Sequence, residues 1–514
     1  MTELPSSWTT CPIGEVLVSV EMTAKDEPDR EIWYVDISSI DNQSNKVVDP
    51  KRMALSSAPS RARQKIIAGD TLFSTVRPYL RKIAAVPEKY DGEIASTGFA
   101  VLRPAEGIHH RYIFYKSVSH DFVSALTGEQ YGVSYPAVKE EQVRSQELQL
   151  PPTNEQRRIV ERIEAMFDEI DHGVENLKKA RATLGLYRQS LLKSAFEGRL
   201  TADWRARNAD KLETPETLLA RIRSERDTRY KSALDDWQKA LTDWRENGEE
   251  GKKPSKPRLP SEIDKISASE LAELEEIPEN WLWARLGDLL WLSSQNGVYK
   301  PASDYGSGTS IVRIDDFYDG ELIRLSGFKR LKLSVEEQKQ YQVEVGDLLV
   351  NRVNSLDYLG KCAPVPPLSE VVVYESNIMK CHPISTGTSA DWIARYLSSQ
   401  RGRDRIRKHA KHAVNQASIN QTDVGLTIVS ICSPQEQAEI TRILDERLSA
   451  ADALEAEIDA GLTRAEALRQ SILKQAFSGK LVPQDTEDEP AADLLARIRV
   501  EKATKPKKRR ATDA

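Results

Sequence analysis

The sequence predicts a mixed α/β protein built from two α/β domains, each followed by a long helix. Three observations predict this fold class. The phrase RQSLLKSAFEGRL at 188–200 returns as RQSILKQAFSGKL at 469–481, 281 positions later. Apolar residues spaced three and four apart precede both copies, as in a coiled-coil helix. Short β-branched runs at 32–38 (IWYVDIS) and 309–314 (TSIVRI) predict strands in the segments before the helices.

The duplication holds its register over a long segment. Residues 155–200 and 436–481 share 13 identities in 46 positions without a gap. The opening of each half also repeats, as LP-x-x-W at 4–8 and IP-x-x-W at 277–281, and so does a Gly-Asp pair at 69–70 and 346–347. A duplicated chain tends to form a pseudo-two-fold structure, so the sequence predicts two related domains on one frame.

The closing segments predict two helices that each carry an apolar seam over more than four heptads. About 40 residues at ~1.5 Å each make a rod of roughly 60 Å. Two such helices in one chain most simply pack on each other, and the residues leave the parallel and antiparallel arrangements open. The predicted seam residues are Ile159, Ile163, Ile170, Leu177, Leu184 and Leu191 in the first helix and Ile440, Leu444, Leu454, Ile458, Leu468 and Ile472 in the second.

These features divide the chain into six segments. A smaller repeat, LLARIRSE at 218–225 and LLARIRVE at 494–501, lies outside the long helices. The predicted segments are a first domain (1–153), a first long helix (154–200), a charged helical insertion with a linker (201–276), a second domain (277–433), a second long helix (434–481) and a C-terminal extension with a basic tail (482–514).

Composition excludes several classes of protein. The 514 residues suffice for about three domains, and no stretch approaches the ~18–20 apolar residues of a membrane span. The start does not have the pattern of a signal peptide. Four scattered cysteines without a CxxC pair suit a reducing compartment and argue against a zinc site or a disulfide framework. We therefore expect a cytoplasmic protein without a membrane partner.

The net charge of −6 hides two basic clusters. Residues 51–89 hold nine Lys or Arg against two acids, and residues 395–412 hold seven against Asp404 alone. Local clusters of this kind favour phosphate binding. Each cluster taken alone is equally well explained as a solvated face, whereas two clusters in two related domains favour DNA.

Sequence motifs of catalysis are missing. The chain contains no GxxxxGK[ST], no GxGxxG after a strand and no [DN]PP[YF], the tetrapeptide with which amino-methyltransferases of DNA hold a flipped base. His409 and His412 lie three apart, but without a further ligand at metal spacing a basic helix face is favoured over a metal site. The sequence therefore predicts a reader or scaffold with no catalytic residue, metal or cofactor of its own.

The repeated motifs carry a resemblance to a known family. Two variable domains that open with [LI]P-x-x-W, each followed by a helix that begins near P-x-x-E-Q and ends in RQS[LI]LK-x-AF-x-G-[RK]-L, resemble the specificity (S) subunit of type I restriction–modification systems. The resemblance covers nearly the whole chain, and the insertion at 201–276 is its least typical part.

The resemblance implies that each variable domain is a target recognition domain that reads one half of a bipartite, asymmetric site in double-stranded DNA. It implies an antiparallel coiled coil that sets the distance between half-sites. The implied partners are two modification subunits, which use S-adenosylmethionine to methylate adenine, and restriction subunits, which use ATP and Mg²⁺. Catalysis would belong to those subunits.

Candidate DNA contacts follow the Gly-Asp pairs and lie in two later loops, 127–138 and 411–419. Arg to guanine and Asn to adenine are the bidentate pairings that the major groove favours. Each of these residues also has a structural interpretation as a turn, core or phosphate-contacting residue. The candidates are Arg77, Tyr79, Arg81, Lys82, Gln130 and Tyr131 in the first domain and Asn351, Arg352, Asn354, Tyr358, Lys361, Arg405, Lys408, Lys411, Asn415 and Gln416 in the second.

Two other classes of function stay open at this point. A coiled-coil adaptor with duplicated protein-binding domains would share the helices and lack salt-sensitive binding to duplex DNA. A self-contained methyltransferase or nuclease would bind the methyl donor, or cleave DNA with Mg²⁺, as an isolated chain.

Overall fold

The chain folds into two units, and both long helices contribute to each of them. The computed structural model describes residues 4–24, 27–127, 137–251, 253–257, 264–414 and 416–504. Unit 1 comprises residues 1–179 and 457–514, and unit 2 comprises residues 180–456. The predicted mixed α/β class is confirmed in both units. No helix of the described part of the chain combines the length and apolarity needed to cross a membrane.

The helices are α1 (His110–Val118), α2 (His120–Thr127), α3 (Glu140–Arg144), α4 (Thr153–Phe196), α5 (Ala202–Arg207), α6 (Pro215–Glu246), α7 (Ala268–Ala272), α8 (Val335–Tyr341), α9 (Ala390–Ser398), α10 (Gln400–Arg407), α11 (Gln421–Leu426), α12 (Pro434–Phe477) and α13 (Ala491–Thr504).

The strands of unit 1 are β1 (Thr9–Pro12), β2 (Leu17–Val18), β3 (Glu31–Val35), β4 (Ile40–Asp41), β5 (Lys46–Val47), β6 (Lys51–Ala54), β7 (Ala62–Lys65), β8 (Thr71–Ser74), β9 (Ile83–Ala85), β10 (Ile94–Ser96), β11 (Phe99–Pro104) and β12 (Glu147–Leu150). Those of unit 2 are β13 (Leu282–Arg285), β14 (Gln295–Asn296), β15 (Tyr305–Val312), β16 (Phe317–Tyr318), β17 (Glu321–Leu322), β18 (Lys329–Leu331), β19 (Leu348–Asn351), β20 (Val353–Asn354), β21 (Cys362–Pro364), β22 (Val372–Tyr374), β23 (Ile378–Cys381), β24 (Lys411–Ala413), β25 (Gln416–Ser418) and β26 (Ile428–Ile431).

The two units share most of their sheet topology. Unit 1 has the strand orders β1-β12, β2-β11-β8-β9, β6-β3-β10-β7 and β4-β5. Unit 2 has the equivalent orders β13-β26, β14-β23-β19-β21, β18-β15-β22 and β16-β17, with three strands in place of four in the third sheet, and it adds the sheet β20-β25-β24. The single parallel pairing of each set also repeats, as β3 with β10 and β15 with β22. Duplication of the sequence is thus duplication of the fold, although few residues between the motifs are shared.

The long helices pack antiparallel within each unit. In unit 1 Arg469 of α12 forms an ion pair with Asp171 of α4. In unit 2 Arg188 pairs with Asp452 at 2.5 Å and with Glu455 at 2.6 Å. The two arginines are the first residues of the repeated RQS phrase, and Asp171 and Asp452 are equivalent under the offset of 281. The antiparallel arrangement expected from the resemblance is therefore confirmed, and one repeated ion pair fixes its register in both units.

The seam departs by one residue from the predicted positions at two places in α12. Leu454 and Leu468 are 58% and 50% exposed, although both were predicted to lie in the seam. The inward positions there are Glu455 and Arg469, which are partly buried. The spacing of apolar residues does not show whether the next seam residue lies three or four positions later when that residue is charged and makes an ion pair across the helices. The remaining predicted seam residues, Ile159, Ile163, Ile170, Leu177, Leu184, Leu191, Ile440, Leu444, Ile458 and Ile472, are buried or partly buried.

The repeated motifs of unit 1 meet at one place. Trp8 donates from Nε1 to the buried Glu155 carboxylate at 2.9 Å, at the start of α4. Phe477, at the end of α12, packs edge-on against Tyr112 at 5.3 Å. A Cβ on Gly479 would lie 2.5 Å from Pro5, so the opening LP-x-x-W motif sits directly on the end of α12.

Unit 2 repeats this junction with the end of α4. Trp281 donates to Glu436 at 3.0 Å, Phe196 packs against Trp392 at 5.0 Å, and Gly198 lies under Pro278. The repeated end of each long helix is thus part of the core beside the other half's α/β domain. From sequence order alone, each helix end is expected beside the α/β domain that precedes it. In the structure it lies beside the other one.

The LLARIR repeat is also structural. Leu218 and Ile222 of α6 are buried in unit 2, and Leu494 of α13 is buried in unit 1. Each helix contacts a glycine at the equivalent place: a Cβ on Gly387 would lie 2.2 Å from Ile222, and one on Gly107 would lie 2.7 Å from Leu494. The first part of the 201–276 insertion therefore belongs to the duplicated unit.

Each LLARIR helix also carries a cation at the same position, Arg226 in α6 and Lys502 in α13. Lys502 donates to the carbonyls of Gly14 and Glu15 at 3.0 and 2.7 Å. Arg226 donates to the carbonyls of residues 287–288 at 3.1 and 2.6 Å. These bonds tie each LLARIR helix to the turn that follows the first strand of its unit.

Substituting Gly387 by alanine should loosen α6. The new Cβ has no room beside Ile222, and overpacking of this kind costs about 1–3 kcal/mol. Urea unfolding of the full chain, with protease cleavage of α6 as a local readout, measures the effect. Gly185→Ala in α4 is the matched control, because its Cβ meets nothing within 4 Å and alanine is the better helix former. Equal behaviour of both variants would contradict the packing of α6 in this notch.

Candidate nucleic-acid interface

The two Gly-Asp pairs set the direction of the chain before each candidate segment. Gly69 and Gly346 have φ values of 87° and 88°, a left-handed conformation that suits glycine. The buried Asp70 accepts from the Ile67 amide at 2.9 Å and pairs with Arg103 at 2.7 Å. Asp347 accepts from the Glu344 amide at 2.7 Å in the same way. The turns are structural, and they place the next strand, β8 or β19, in the core.

Loop segment 1 (residues 75–82) leaves β8 and is held at both ends. The Thr75 amide donates to the Gly98 carbonyl at 2.9 Å. Arg77 and Arg81 both adopt left-handed φ values, 49° and 53°, on either side of the 3₁₀ turn Pro78–Leu80. Such conformations cost about 1–3 kcal/mol for residues other than glycine and are concentrated at functional sites. The turn presents Tyr79, which is 50% exposed.

Two of the predicted contacts in loop segment 1 support it from beneath. Arg81 donates from its guanidinium to the Val118 carbonyl, and Lys82 donates from Nζ to the Ile40 carbonyl. Asn42 adds a bond to the Leu80 carbonyl at 3.0 Å. Nothing in the sequence pointed to Asn42, because it lies in a different hairpin. Arg77 is partly buried, and Tyr79 is the exposed member of the predicted set.

Loop segment 2 (residues 351–361) follows β19 at the equivalent place. Asn351 is buried and donates to the Asn377 carbonyl at 3.1 Å. Arg352 lies partly buried with its guanidinium 3.3 Å from the Ser376 carbonyl. Asn354 pairs in β20 with β25 of the later loop, and Tyr358 is 50% exposed.

Lys361 closes loop segment 2 as Lys82 closes loop segment 1. Its Nζ donates to the Ile314 carbonyl and lies 3.7 Å from the ring centroid of Tyr318. Tyr318 in turn packs edge-on against Tyr358 at 6.1 Å. Burial lowers the pKa of Lys361, and the nearby Asp315 opposes that shift. The equivalent lysines are scaffold residues, and the tyrosine pair is a feature that the sequence did not reveal.

Each loop segment lies beside the later loop predicted to accompany it. In unit 1 Val76 forms a bridge with Ala137, and in unit 2 β20 pairs with β25, which pairs with β24. Lys411 and Gln416, on β24 and β25, are exposed beside loop segment 2. Gln130, Tyr131 and Asn415 lie outside the described residues. The two candidate surfaces are therefore built from the same elements and carry different side chains.

Several cations of each basic cluster form ion pairs. In the first, Lys51 pairs with Asp36 at 2.7 Å, and Lys65 pairs with Glu27 at 3.1 Å. In the second, Arg401 pairs with Glu197 at 2.8 Å. Charge counting along the sequence missed these pairs because the acids are remote in sequence.

Three of the predicted DNA contacts, Arg405, Lys408 and Lys411, lie in the second cluster. Arg405 pairs with Glu275, and its guanidinium lies 4.5 Å from the ring centroid of Trp283. Lys408 is more exposed, with Glu273 at 3.8 Å. Both side chains face the segment that precedes the second domain.

Comparison with known proteins agrees with this geometry. Residues 5–179 match the family model of the type I restriction modification DNA specificity domain. The StySPI specificity subunit of a type I restriction enzyme from Salmonella potsdam is 30% identical over 233 residues, which span 43% of this chain and half of that relative. The EcoDI specificity subunit from Escherichia coli is 20% identical over 516 residues, which span 98% of this chain and 96% of that one.

A solved structure that concerns complex assembly and conformational transition of the type I R-M system has a TM-score of 0.66. It is 24% identical and covers 93% of this chain and 99% of its own, so it shows the same fold. Residues 5–179 thus match a type I restriction modification DNA specificity domain, and the chain resembles the specificity subunits of type I restriction enzymes over nearly its whole length.

Proposed function

We propose that the chain is the sequence-specific DNA-binding subunit of a type I restriction–modification complex. Each α/β domain reads one half of a bipartite site in double-stranded DNA, and the long helices hold the domains and receive the other subunits. The observation that carries this proposal is one scaffold with two different sequences on it. Loop segments 1 and 2 follow the same Gly-Asp turn, end in the same bonded lysine and expose a tyrosine three residues before it, yet most of their other residues differ.

Asymmetry of the site follows from the unlike surfaces. Two identical readers on a two-fold frame would recognise a palindrome, whereas two unlike readers recognise two unlike half-sites. Phosphate contacts position such a protein and contacts to base edges specify the sequence, so the exposed residues of the loop segments are the candidates for base contact.

The proposed partners supply the chemistry. Two modification subunits per chain would use S-adenosylmethionine, and restriction subunits would use ATP and Mg²⁺, while this chain contributes no catalytic residue and binds no cofactor. The specificity subunits among its relatives and the missing catalytic motifs of its sequence support this division. We also propose a cytoplasmic location, where DNA and these partners are present.

Substitutions in one loop segment should affect one half-site. Arg77→Ala with Tyr79→Ala removes two predicted contacts of loop segment 1, and Tyr358→Ala with Lys411→Ala is the matched pair in unit 2. Each lost base contact costs about 1–3 kcal/mol, or roughly 5- to 150-fold in affinity. Methylation mapping of genomic DNA first identifies the site. Binding of the full chain to duplexes mutated in either half-site then measures the effect.

Lys82→Met is the control for loss of the scaffold, since Lys82 bonds to the Ile40 carbonyl. If a loop variant bound both half-sites equally weakly and kept its sequence preference, its substituted residues would be phosphate contacts and not base contacts. Absence of any salt-sensitive binding to duplex DNA by a folded chain would instead support the adaptor, and methyl-donor binding by the isolated chain would support the enzyme.

A further inference from the structure

Helix α10 is strongly basic, and one of its cations, Arg407, donates to the carbonyls of Leu359 and Asp357. It carries Arg401, Arg403, Arg405 and Arg407, and Lys408 follows it. The equivalent helix of unit 1 is α2, HDFVSALT, which contains no lysine or arginine. Because both helices occupy the same place in the same fold, the cations of α10 serve something particular to unit 2.

An acidic segment covers part of this helix. Residues 264–277, which we call the acidic strap, contain Glu270, Glu273, Glu275 and Glu276. Glu275 lies 2.9 Å from Arg401 and also pairs with Arg405, and Glu273 lies 3.8 Å from Lys408. Three cations of one basic surface are therefore occupied by two carboxylates of the strap.

The first part of the strap is firmly anchored. Arg285, whose side chain is 7% exposed, donates to both oxygens of Glu270 at 2.9 and 2.8 Å. It also donates to the Asp264 carbonyl at 3.2 Å. The Ser267 amide and Arg285 lower the pKa of Glu270 to about 2. This part is expected to stay in place when the segment with Glu273 and Glu275 is displaced.

The second part is held mainly by charge. A cavity of 230 Å³ lies between the strap and α10, lined by Glu273, Leu274, Arg405 and Lys408 among others. The side chains of Glu273 and Lys408 are 74% and 55% exposed, whereas Glu275 is 25% exposed beside Arg401 at 40% and Arg405 at 15%. The pair of Glu273 is therefore weak and screened by salt, and the pairs of Glu275 still reach solvent, where a polyanion can compete with them.

The covered cations are continuous with the candidate interface. Helix α10 leads through Lys408 into β24, which begins at Lys411. Strand β24 pairs with β25, and β25 pairs with β20 of loop segment 2. A duplex that contacts loop segment 2 and Lys411 would therefore have its backbone near α10.

We propose that the face of α10 formed by Arg401, Arg405 and Lys408 is a phosphate-contacting surface for duplex DNA, and that the acidic strap occupies it in the free chain. The inference rests on the proposed function. DNA phosphates replace Glu273 and Glu275 on binding, while the anchor at Glu270 and Arg285 stays. The strap thereby lowers binding to DNA of any sequence, because this surface reads no bases.

The test is a strap variant, Glu273→Gln with Glu275→Gln, in the full chain. Its affinity for a duplex of arbitrary sequence is measured from 50 to 200 mM salt. The strap variant should bind severalfold more tightly than the wild type, because DNA no longer has to displace the two carboxylates. The slope of log affinity against log salt should stay close to that of the wild type, because the same three cations reach phosphates in both bound states. Glu249→Gln with Glu250→Gln changes the net charge equally at exposed sites outside the strap, and its affinity should match that of the wild type.

Adding Arg401→Gln to the strap variant should remove one phosphate contact and lower the slope by about 0.9. As an independent readout, amides 271–276 of the wild type should lose protection from hydrogen exchange when duplex DNA is added. Unchanged affinity of the strap variant and unchanged protection would overturn the strap while leaving the proposed function in place, provided the wild type still prefers its site. An equal gain in the control pair would reduce the effect to net charge, and a folded wild type that fails to bind duplex DNA would overturn both proposals.

Discussion

Replacing Glu436 by glutamine should destabilise unit 2 by about 3–5 kcal/mol, the range found when one partner of a buried ion pair is removed. Glu436 is fully buried and accepts from Trp281 at 3.0 Å and Thr201 at 2.8 Å. It also pairs with Arg205 at 2.8 Å, whose side chain is 17% exposed. Glutamine retains hydrogen bonds but leaves this guanidinium without a counter-ion. Urea unfolding at pH 7 measures the loss.

Glu155→Gln is the matched control, because Glu155 occupies the same junction in unit 1 with neutral partners. It accepts from Trp8 at 2.9 Å and from Gln484 at 2.6 Å. The expected loss is about 1 kcal/mol or less, the net worth of one neutral hydrogen bond. Similar losses in both variants would contradict a role for Arg205 as the deciding partner.

The two variants should also differ in pH dependence. Burial raises the pKa of Glu155 above its usual value of 4.5. An acid whose folded pKa is raised contributes stability below its unfolded pKa and loses that contribution as pH rises through the folded value. Stability of the wild type relative to Glu155→Gln should therefore fall as pH increases above about 4.5. A constant difference between pH 4 and 7 would show that the carboxyl ionises without penalty.

Deleting seven residues from one long helix should be far more damaging than deleting seven from both. Removal of 172–178 from α4 alone shifts Asp171 and Arg188 by two turns relative to each other, so Arg469 and Asp452 no longer both have partners. It also removes Leu177, which packs at Gly461. We expect a loss of about 2–5 kcal/mol, as for removal of a large buried side chain.

The matched deletion of 172–178 and 461–467 brings both ion pairs back into register. Each helix is then shorter by about 10 Å, which corresponds to about three base pairs of DNA. Thermal unfolding of the two variants tests the register. Under the proposed function, methylation mapping of the matched variant should find a site with a shorter spacer. An unchanged spacer would contradict a measuring role for the helices.

The repeated residues predicted the fold well because they carry its framework. The phrase ending in AF-x-G, the opening P-x-x-W and the Gly-Asp pairs all proved to be packing or turn positions. The sequence could not predict that each long helix ends in the core of the other half, because the two copies of the closing phrase fit either domain equally well. The seam was shifted for a related reason: Arg188 and Arg469 look like surface residues until their aspartates are seen across the helix pair.

Prediction of the candidate interface was less complete. The positions of loop segments 1 and 2 followed from the Gly-Asp repeat, and pairing of β20 with β25 brought the second one to its expected neighbour. The role of single cations did not follow. Lys82 and Lys361 bond to carbonyls, and Arg405 pairs with Glu275, 130 residues earlier in the chain. Such partners are distant in sequence, so composition windows count these cations as available.

The division of the chain between the units has a consequence for its synthesis. Unit 2 is one continuous stretch, residues 180–456, whereas unit 1 needs residues from before and after it. On the ribosome, unit 2 holds all of its residues once 456 has emerged, while the first α/β domain still lacks Phe477, Leu494 and the rest of its core. The domain made first is therefore finished last, and its exposed apolar surface must wait for the end of translation.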